Sequence, residues 1–163
     1  MNTPTVFEGE GTVVALHNIR SAHNVGAIFR TADGAGVQGL ILAGYTPTPI
    51  DRFGRKRQDI AKVALGSEEI VPYTYCHSTY EALRAYKAHG FEIIGVEQHS
   101  RAIPYHTYKS NSKCVFVFGN EVEGLSEEVI NICDTIVQIP LHGKKESLNV
   151  AVAVGVVLFN FYQ

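Results

Sequence analysis

Residues 114–118 read CVFVF, an uninterrupted apolar run. A short run rich in valine and phenylalanine is typical of a strand buried on both faces, as in a parallel sheet covered by helices. The loop that follows, residues 119–124 (GNEVEG), carries two glycines and two glutamates, and Ser126 then offers an N-cap for a helix with an acidic first turn. This stretch predicts a strand, loop and helix unit.

The same alternation of strands and helices extends outward in both directions. From Asn24 the apolar residues fall at helical spacing, which predicts a helix with Asn24 as N-cap, and a capping box at Ser78 opens another. A last helix, from Ser147 to Tyr162 with Ser147 as N-cap, is apolar almost all round. We predict six strands: Thr12–Leu16, Leu40–Ala43, Ile70–Tyr75, Phe91–Val96, Cys114–Phe118 and Thr135–Ile139.

Length and pattern together predict one α/β domain over residues 1–163, with a mostly parallel, six-stranded sheet. We expect no separate RNA-binding domain, since only about eleven residues precede the first strand. The apolar last helix needs more cover than a chain of this size provides, which favours a homodimer packed through it.

The composition excludes several classes of protein. Lys and Arg total 14 against 16 Asp and Glu, so nucleic acid would have to bind a local basic patch. The amino-terminal residues lack a secretory signal, and the longest apolar stretch, Val150–Phe159, is too short to span a membrane. The histidines and cysteines show no metal-ligand spacing. We expect a cytoplasmic protein without membrane contact or metal.

Ligands of open α/β sheets bind beyond the carboxyl ends of the strands, so the loops leaving those ends are the candidate sites. Three of them carry polar residues: 17–24, 119–124 and 140–149. Glu121 and Glu123 would repel a phosphate, so a nucleotide phosphate is a poor ligand for the second loop. The glycine pattern at 34–39 follows a helix and precedes a strand, the reverse of a dinucleotide fingerprint, which argues against a nucleotide-binding oxidoreductase.

Basic residues gather in two places. Taken alone they are ordinary solvated surface charge, but they are also where RNA phosphates would be held. The candidate RNA-binding residues are Arg52, Arg55, Lys56 and Arg57 in one loop and Lys144 and Lys145 in another.

Three segments, taken together, resemble the motifs of the SpoU (TrmH-type) RNA ribose methyltransferases of the SPOUT superfamily. Residues 18–33 (NIRSAHNVGAIFRTAD) resemble the first motif and residues 117–126 (VFGNEVEGLS) the second. Residues 139–141 (IPL) with 147–153 (SLNVAVA) are similar to the third. The order and spacing agree, and the likeness covers nearly the whole chain.

The resemblance implies a carboxyl-terminal trefoil knot, S-adenosylmethionine bound by the knot loops, a homodimer, and methyl transfer to a ribose 2′-hydroxyl of tRNA or rRNA. By position, Arg30 corresponds to the family's catalytic arginine, thought to help deprotonate the 2′-hydroxyl. The residues that orient it and line the site would be Asn24, Glu121, Ser147 and Asn149. Those that enclose the cofactor would be Val96, Gly119, Ile139, Leu148 and again Ser147.

An alternative hypothesis from another class stays open at this point. A protein of the same fold that has lost catalysis would act as an RNA-binding accessory subunit. The presence of all five candidate catalytic residues disfavours it, because a non-catalytic copy has no reason to keep them. The sequence does not specify which RNA or which nucleotide is modified, or which group accepts the proton.

Overall fold

The structure, a computed structural model, describes residues 5–161. Strands and helices alternate along them, with one turn of 3₁₀ helix at Tyr105–Thr107. Their bounds are β1 (Gly11–His17), α1 (Ala22–Ala35), β2 (Gly39–Ala43), α2 (Gln58–Ala64), α3 (Ser67–Ile70), β3 (Tyr73–Cys76), α4 (Thr79–Ala88), β4 (Glu92–Val96), β5 (Ile103–Pro104), β6 (Lys113–Phe118), α5 (Glu127–Ile132), β7 (Thr135–Gln138) and α6 (Val150–Phe161).

The strands form one sheet in the order β3-β2-β1-β6-β4-β7-β5, and every pairing is parallel. The predicted α/β fold with a parallel sheet is confirmed, but the prediction of six strands is wrong, because the sheet has seven. The additional strand, β5, has only two residues, and one of them is a proline. A segment so short shows no alternation, and proline is unusual in strands, so no sequence signal marks it.

Helices cover both faces of the sheet, as a buried parallel sheet requires. Successive residues of β1 show this: Val13 and Ala15 pack toward α4 and α5, whereas Val14 and Leu16 pack toward α1, α2 and α6. All four side chains are fully buried. The predicted strand at 114–118 lies within β6, and its residues are buried as expected.

Several predicted boundaries differ from the structure. Ser21, not Asn24, caps α1, since its hydroxyl accepts a hydrogen bond from the Asn24 backbone. Gly34 lies inside that helix, and Gly36, with a φ of 68°, ends it. The third strand begins at Tyr73 rather than at Ile70, which is the last residue of α3. Ser78 caps α4 as predicted, since its hydroxyl accepts a hydrogen bond from the Glu81 backbone, but the Glu81 carboxylate pairs with Arg84 and does not complete the capping box.

The last helix begins at Val150, three residues later than predicted. Its cap is Asn149, whose Oδ1 accepts hydrogen bonds from the backbone of Ala151 and Val152. Ser147, the predicted N-cap, lies in the preceding loop, and Tyr162 lies outside the described residues. No helix within residues 5–161 is both long enough and apolar enough to cross a membrane.

The strand order determines where a site can form. Strands β1, β6, β4 and β7 are neighbours and run in the same direction, so their carboxyl ends meet at one edge of the sheet. The loops that follow them, including all three polar loops of the sequence, therefore converge there. The knot implied by the resemblance stays a prediction.

Candidate functional site

Asn120 holds the loop after β6 in shape. Its backbone pairs with that of Gly124, and its side-chain oxygen accepts hydrogen bonds from the backbone of Val122 and Glu123 at 2.8 and 2.9 Å. The residue is only 5% exposed. The loop closes so tightly that a Cβ on Gly119 would lie 2.3 Å from the carbonyl carbon of Gly124, so only glycine fits at position 119.

Glu121 leaves this loop and reaches the start of α1. Its carboxylate accepts hydrogen bonds from the backbone of Arg20 and Ser21, at 3.1 and 3.3 Å, and from the side chain of Asn24 at 3.2 Å. Burial alone would raise the pKa of Glu121, but these hydrogen bonds outweigh it and hold the pKa below its usual value. The carboxylate is thus fixed in its charged form.

Asn24 continues the connection to the third loop. Its side-chain oxygen accepts a hydrogen bond from Nδ2 of Asn149 at 3.1 Å. Two hydrogen bonds thus link three side chains in series, and we call these residues the amide network: Glu121, Asn24 and Asn149. The amide network joins the loops after β6, β1 and β7. Three of the five predicted catalytic residues are therefore in direct contact, although at least 97 residues separate Asn24 from either partner.

The amide network lies beside a cavity of about 100 Å³, which we call the loop cleft. All five residues predicted to enclose the cofactor line it, as do Glu121, Glu97 and Asn120. No lysine, arginine or histidine contributes to its walls, and within residues 5–161 no group of His, Cys, Asp or Glu is arranged to hold a metal ion. The lining residues are Val96, Glu97, Gln98, Phe118, Gly119, Asn120, Glu121, Gly124, Gln138, Ile139, Ser147, Leu148, Val150 and Ala153.

Arg30 does not join the amide network. It is exposed, and its guanidinium makes no hydrogen bond or ion pair with any described residue. The reason is helical geometry, since six residues separate it from Asn24, which is about 9 Å along α1 and about 120° around it. The fifth predicted catalytic residue, Ser147, lines the loop cleft. Its side chain makes no hydrogen bond with any of residues 5–161.

The predicted basic loop is paired with carboxylates. Arg55 contacts Asp51 at 2.9 Å, Arg57 contacts Asp59 at 2.6 Å, and Lys56 lies between the carboxylates of Glu68 and Glu69 on α3. The pairing with the two glutamates was not predicted from the sequence, because α3 was not predicted. Arg52, Lys144 and Lys145 have no carboxylate partner among the residues described.

Two further residues of the site were not predicted from the sequence. Asn120 closes the loop after β6, and Glu97 supports it, since Oε2 of Glu97 accepts a hydrogen bond from the backbone of Leu125 at 2.8 Å. Glu97 follows β4 directly, so the rule that ligands bind beyond the carboxyl ends of strands would have identified it. For Asn120 the only signal was its place after a buried strand.

Comparison with known proteins gives one family. The model of the SpoU rRNA methylase family matches residues 11–159. The chain is 36% identical over 146 residues to the 23S rRNA (guanosine-2′-O-)-methyltransferase RlmB of Neisseria meningitidis, covering 90% of this chain and 56% of that protein. It is 32% identical to a TrmH family tRNA/rRNA methyltransferase of Staphylococcus haemolyticus, described there as putative, covering 96% of this chain and 60% of the relative.

Solved structures of RNA methyltransferases have the same fold as this chain. The AdoMet-bound rRNA methyltransferase of Sinorhizobium meliloti superimposes with a TM-score of 0.85 and 30% identity, over 95% of this chain and 57% of that one. The chain therefore spans somewhat more than half the length of these three relatives. The common part contains the sheet and the three polar loops.

Proposed function

The chain belongs to the SpoU rRNA methylase family, and on that premise we propose that it transfers a methyl group from S-adenosylmethionine to a ribose 2′-hydroxyl of tRNA or rRNA. One observation carries the proposal: the loops after β6, β4 and β7 enclose one cleft whose only charged side chains are carboxylates. The amide network fixes one of these carboxylates at the rim.

The lining of the loop cleft fits this cofactor. S-adenosylmethionine supplies a methyl group bound to a sulfonium cation, together with an adenosine that carries no phosphate. Glu97 and Glu121 offer negative charge to a cation, and Val96, Ile139 and Leu148 offer apolar surface to a base. Cationic side chains, which a phosphate would require, are missing from the lining.

The cleft must widen to accept such a ligand. Its volume of about 100 Å³ is below the roughly 300–1,000 Å³ of usual ligand pockets. Residues 142–149 of the loop after β7 are exposed, and Ser147 and Leu148 from this loop form one wall. We propose that residues 142–148 of this loop move outward when the cofactor enters, while Asn149, held by Asn24, and the tightly closed loop after β6 stay in place.

The amide network has a positioning role in this proposal. Glu121 holds the start of α1 through Arg20 and Ser21, and Asn24 transmits that position to Asn149 at the start of α6. Since both amide side chains are fixed by hydrogen bonds, the rim of the cleft keeps one geometry. Ser147 adds a hydroxyl at the wall of the cleft.

We assign the catalytic role to Arg30. Its guanidinium is a cation with five N–H donors. A cation close to a 2′-hydroxyl favours the deprotonated, nucleophilic oxygen and also attracts the neighbouring phosphate. With no partner among residues 5–161, all its donors are available to RNA.

The remaining parts of the proposal concern RNA and assembly. Arg52, Lys144 and Lys145 would contact phosphates, and Arg55, Lys56 and Arg57 would join them, because exposed ion pairs are weak enough for a phosphate to displace. We propose a homodimer packed through α6, and a cytoplasmic location, where tRNA and rRNA are found. We also propose that residues 1–163 act as a single domain.

The proposed function is tested in two steps. Calorimetry measures S-adenosylmethionine binding to the purified protein, and ribose-methylation mapping compares total RNA from wild-type cells with RNA from a strain lacking the gene. We expect binding, and one or more 2′-O-methyl groups that disappear in the deletion strain. Cofactor binding without any lost methyl group would favour the RNA-binding accessory subunit, and absence of cofactor binding would refute the enzyme.

A further inference from the structure

A second and larger cavity, of about 710 Å³, lies between the loop after β2 and strand β3. Four aromatic side chains line it, Tyr45, Phe53, Tyr73 and Tyr75, so we call it the aromatic cleft. Its volume is within the usual range for pockets that bind small molecules or single nucleotides. The sequence of this segment predicts only a basic loop.

Three of the aromatic side chains are unusually accessible. Tyr45 is 52% exposed, Phe53 66% and Tyr75 45%. A single exposed aromatic residue is ordinary, but a group of them lining one cavity marks a binding site. Tyr75 is held in place through its hydroxyl, which donates a hydrogen bond to the carbonyl of Gly44 at 2.9 Å.

Arginines accompany these rings. The guanidinium carbons of Arg52 and Arg55 lie 4.7 and 4.9 Å from the centroid of Phe53, and that of Arg20 lies 5.9 Å from the centroid of Tyr45. Flat aromatic surfaces next to cations bind unpaired nucleic acid, because the bases stack on the rings while the cations attract the phosphates. The chemistry of the aromatic cleft is therefore that of a single-stranded RNA site.

The aromatic cleft and the loop cleft share a wall. Tyr45 lines the first and Asn120 lines the second, and Nδ2 of Asn120 donates a hydrogen bond to the Tyr45 hydroxyl at 2.7 Å. Arg20 makes a second connection, because its side chain lies over Tyr45 while its backbone donates to Glu121. A nucleotide with its base in the aromatic cleft would present its ribose toward this wall.

We propose that the aromatic cleft binds the base of the nucleotide to be methylated, stacked on Tyr45 and Phe53. This inference rests on the proposed function. The base must be unpaired, because in an A-form helix both faces of a base are covered by its neighbours and cannot reach the rings. The substrate class is therefore RNA with an unpaired target nucleotide in a loop, bulge or single strand.

The test uses an RNA hairpin with one 2-aminopurine in its loop, and the same strand annealed to its full complement. Fluorescence of 2-aminopurine falls when the base stacks, so quenching reports occupation of the aromatic cleft. We expect the wild-type protein to quench the hairpin but not the duplex. In Phe53→Ala the dissociation constant for the hairpin should rise about 5- to 150-fold, the usual range for loss of one stacking ring.

Two variants serve as controls. Phe53→Trp restores an aromatic face and should recover most of the affinity, whereas Ile70→Ala removes another exposed apolar side chain, 67% exposed, that does not line the cleft and should change nothing. Since Phe53 is exposed, its removal should leave thermal unfolding unchanged. Equal affinity of wild type and Phe53→Ala, absence of quenching by wild type, or equal quenching of the duplex would overturn the inference.

The same variants separate this inference from the proposed function. Calorimetry with S-adenosylmethionine should give the same affinity for wild type and Phe53→Ala, because Phe53 does not line the loop cleft. If wild type stacks the base but never transfers a methyl group, the proposed function fails and the aromatic cleft remains an RNA site. If Phe53→Ala methylates the mapped RNA with unchanged kcat/KM, the function stands and the inference fails.

Discussion

Substitution of Arg30 should lower the rate of methyl transfer without changing cofactor affinity. Because Arg30 does not line the loop cleft, Arg30→Ala should leave the affinity for S-adenosylmethionine within about twofold of wild type. Methyl transfer to the mapped RNA should fall by at least about 100-fold, in the range for removal of a charge that stabilises a transition state. Single-turnover assays with radiolabelled cofactor measure this.

The matched control for Arg30→Ala is Arg84→Ala. Arg84 is also an exposed arginine on a helix, but it lies on α4, which covers the other face of the sheet, and its one ion pair with a described residue is with Glu81. Its removal should leave turnover unchanged. Wild-type turnover of Arg30→Ala would mean that Arg30 is an ordinary solvated arginine.

Glu121 has a measurable effect on stability, with a defined pH dependence. Glu121→Gln places an amide where the carboxylate accepts three hydrogen bonds, and should lower the free energy of unfolding by about 1 kcal/mol, the low end for charged acceptors because the residue is exposed. The pKa of Glu121 is lower in the folded than in the unfolded chain. Its contribution is therefore present above about pH 4.5 and is lost as the pH falls through the folded pKa.

Urea unfolding of wild type and variant at a series of pH values checks this. The difference between the two curves should be largest near neutral pH and shrink below pH 4.5. Glu123→Gln is the control, because the Glu123 carboxylate accepts no hydrogen bond from the described part of the chain. A pH-independent difference for Glu121→Gln would show that the hydrogen bonds to the carboxylate are not responsible.

At the scale of elements, the packing of α1 against α2 depends on Gly26. A Cβ at this position would lie 2.7 Å from the Ile60 carbonyl oxygen and 3.0 Å from Cβ of Val63. Gly26→Ala must therefore push α2 away, and we expect a loss of about 1–3 kcal/mol in the free energy of unfolding. Chemical denaturation with circular dichroism measures it.

Gly34→Ala, in the same helix, is the control for Gly26→Ala. Its new Cβ would meet only the ring of Phe159, at an ordinary contact distance of 3.7 Å. Alanine favours a helix over glycine by about 1 kcal/mol, so this variant should be as stable as wild type or more so. Equal destabilisation by both substitutions would assign the effect to α1 itself rather than to its contact with α2.

The sequence was sufficient for elements with a regular pattern and a clear end. The run at 114–118 and the N-cap at Ser78 were correctly placed because local apolar spacing and capping determine them. The helices α2 and α3 escaped prediction because Leu65 and Gly66, both with positive φ, divide the segment into pieces too short to show a period. Strand order has no local signal, since it depends on contacts between distant segments.

The candidate site, too, could be predicted from the sequence only in part. That Asn24, Glu121 and Asn149 meet could be predicted, because all three follow or adjoin parallel strands whose carboxyl ends share one edge. The hydrogen bonds that join them, and the tyrosine at position 45 beside Asn120, depend on side-chain packing that no spacing reveals. Arg30 was grouped with them by resemblance alone, and the structure places it elsewhere on α1.

At the scale of the whole molecule, α6 leaves an apolar stripe exposed. Val152 is 52% exposed and Phe159 51%, and seven residues separate them, so they lie on one side of the helix. We expect a dimer with about twice the chain mass of 17.9 kDa in light scattering at micromolar concentration. Val152→Arg should give the monomer, because it places a charge on the apolar stripe.

The control for Val152→Arg is Ile70→Arg, which adds the same charge at an exposed apolar position on α3. It should remain dimeric. A wild-type protein that scatters as a monomer, or a Val152→Arg variant that stays dimeric, would exclude α6 as the interface.

The position of β6 in the sheet has a consequence for synthesis. Thr12 of β1 is paired with Cys114 of β6, 102 residues later in the chain. At about 5–20 residues per second, a ribosome needs about 5 to 20 seconds to make that intervening segment. During this time β1 has an unpaired edge that can join the edges of other nascent chains. We therefore expect the yield of folded protein to depend more on translation speed and chaperone supply than on the stability of the finished sheet.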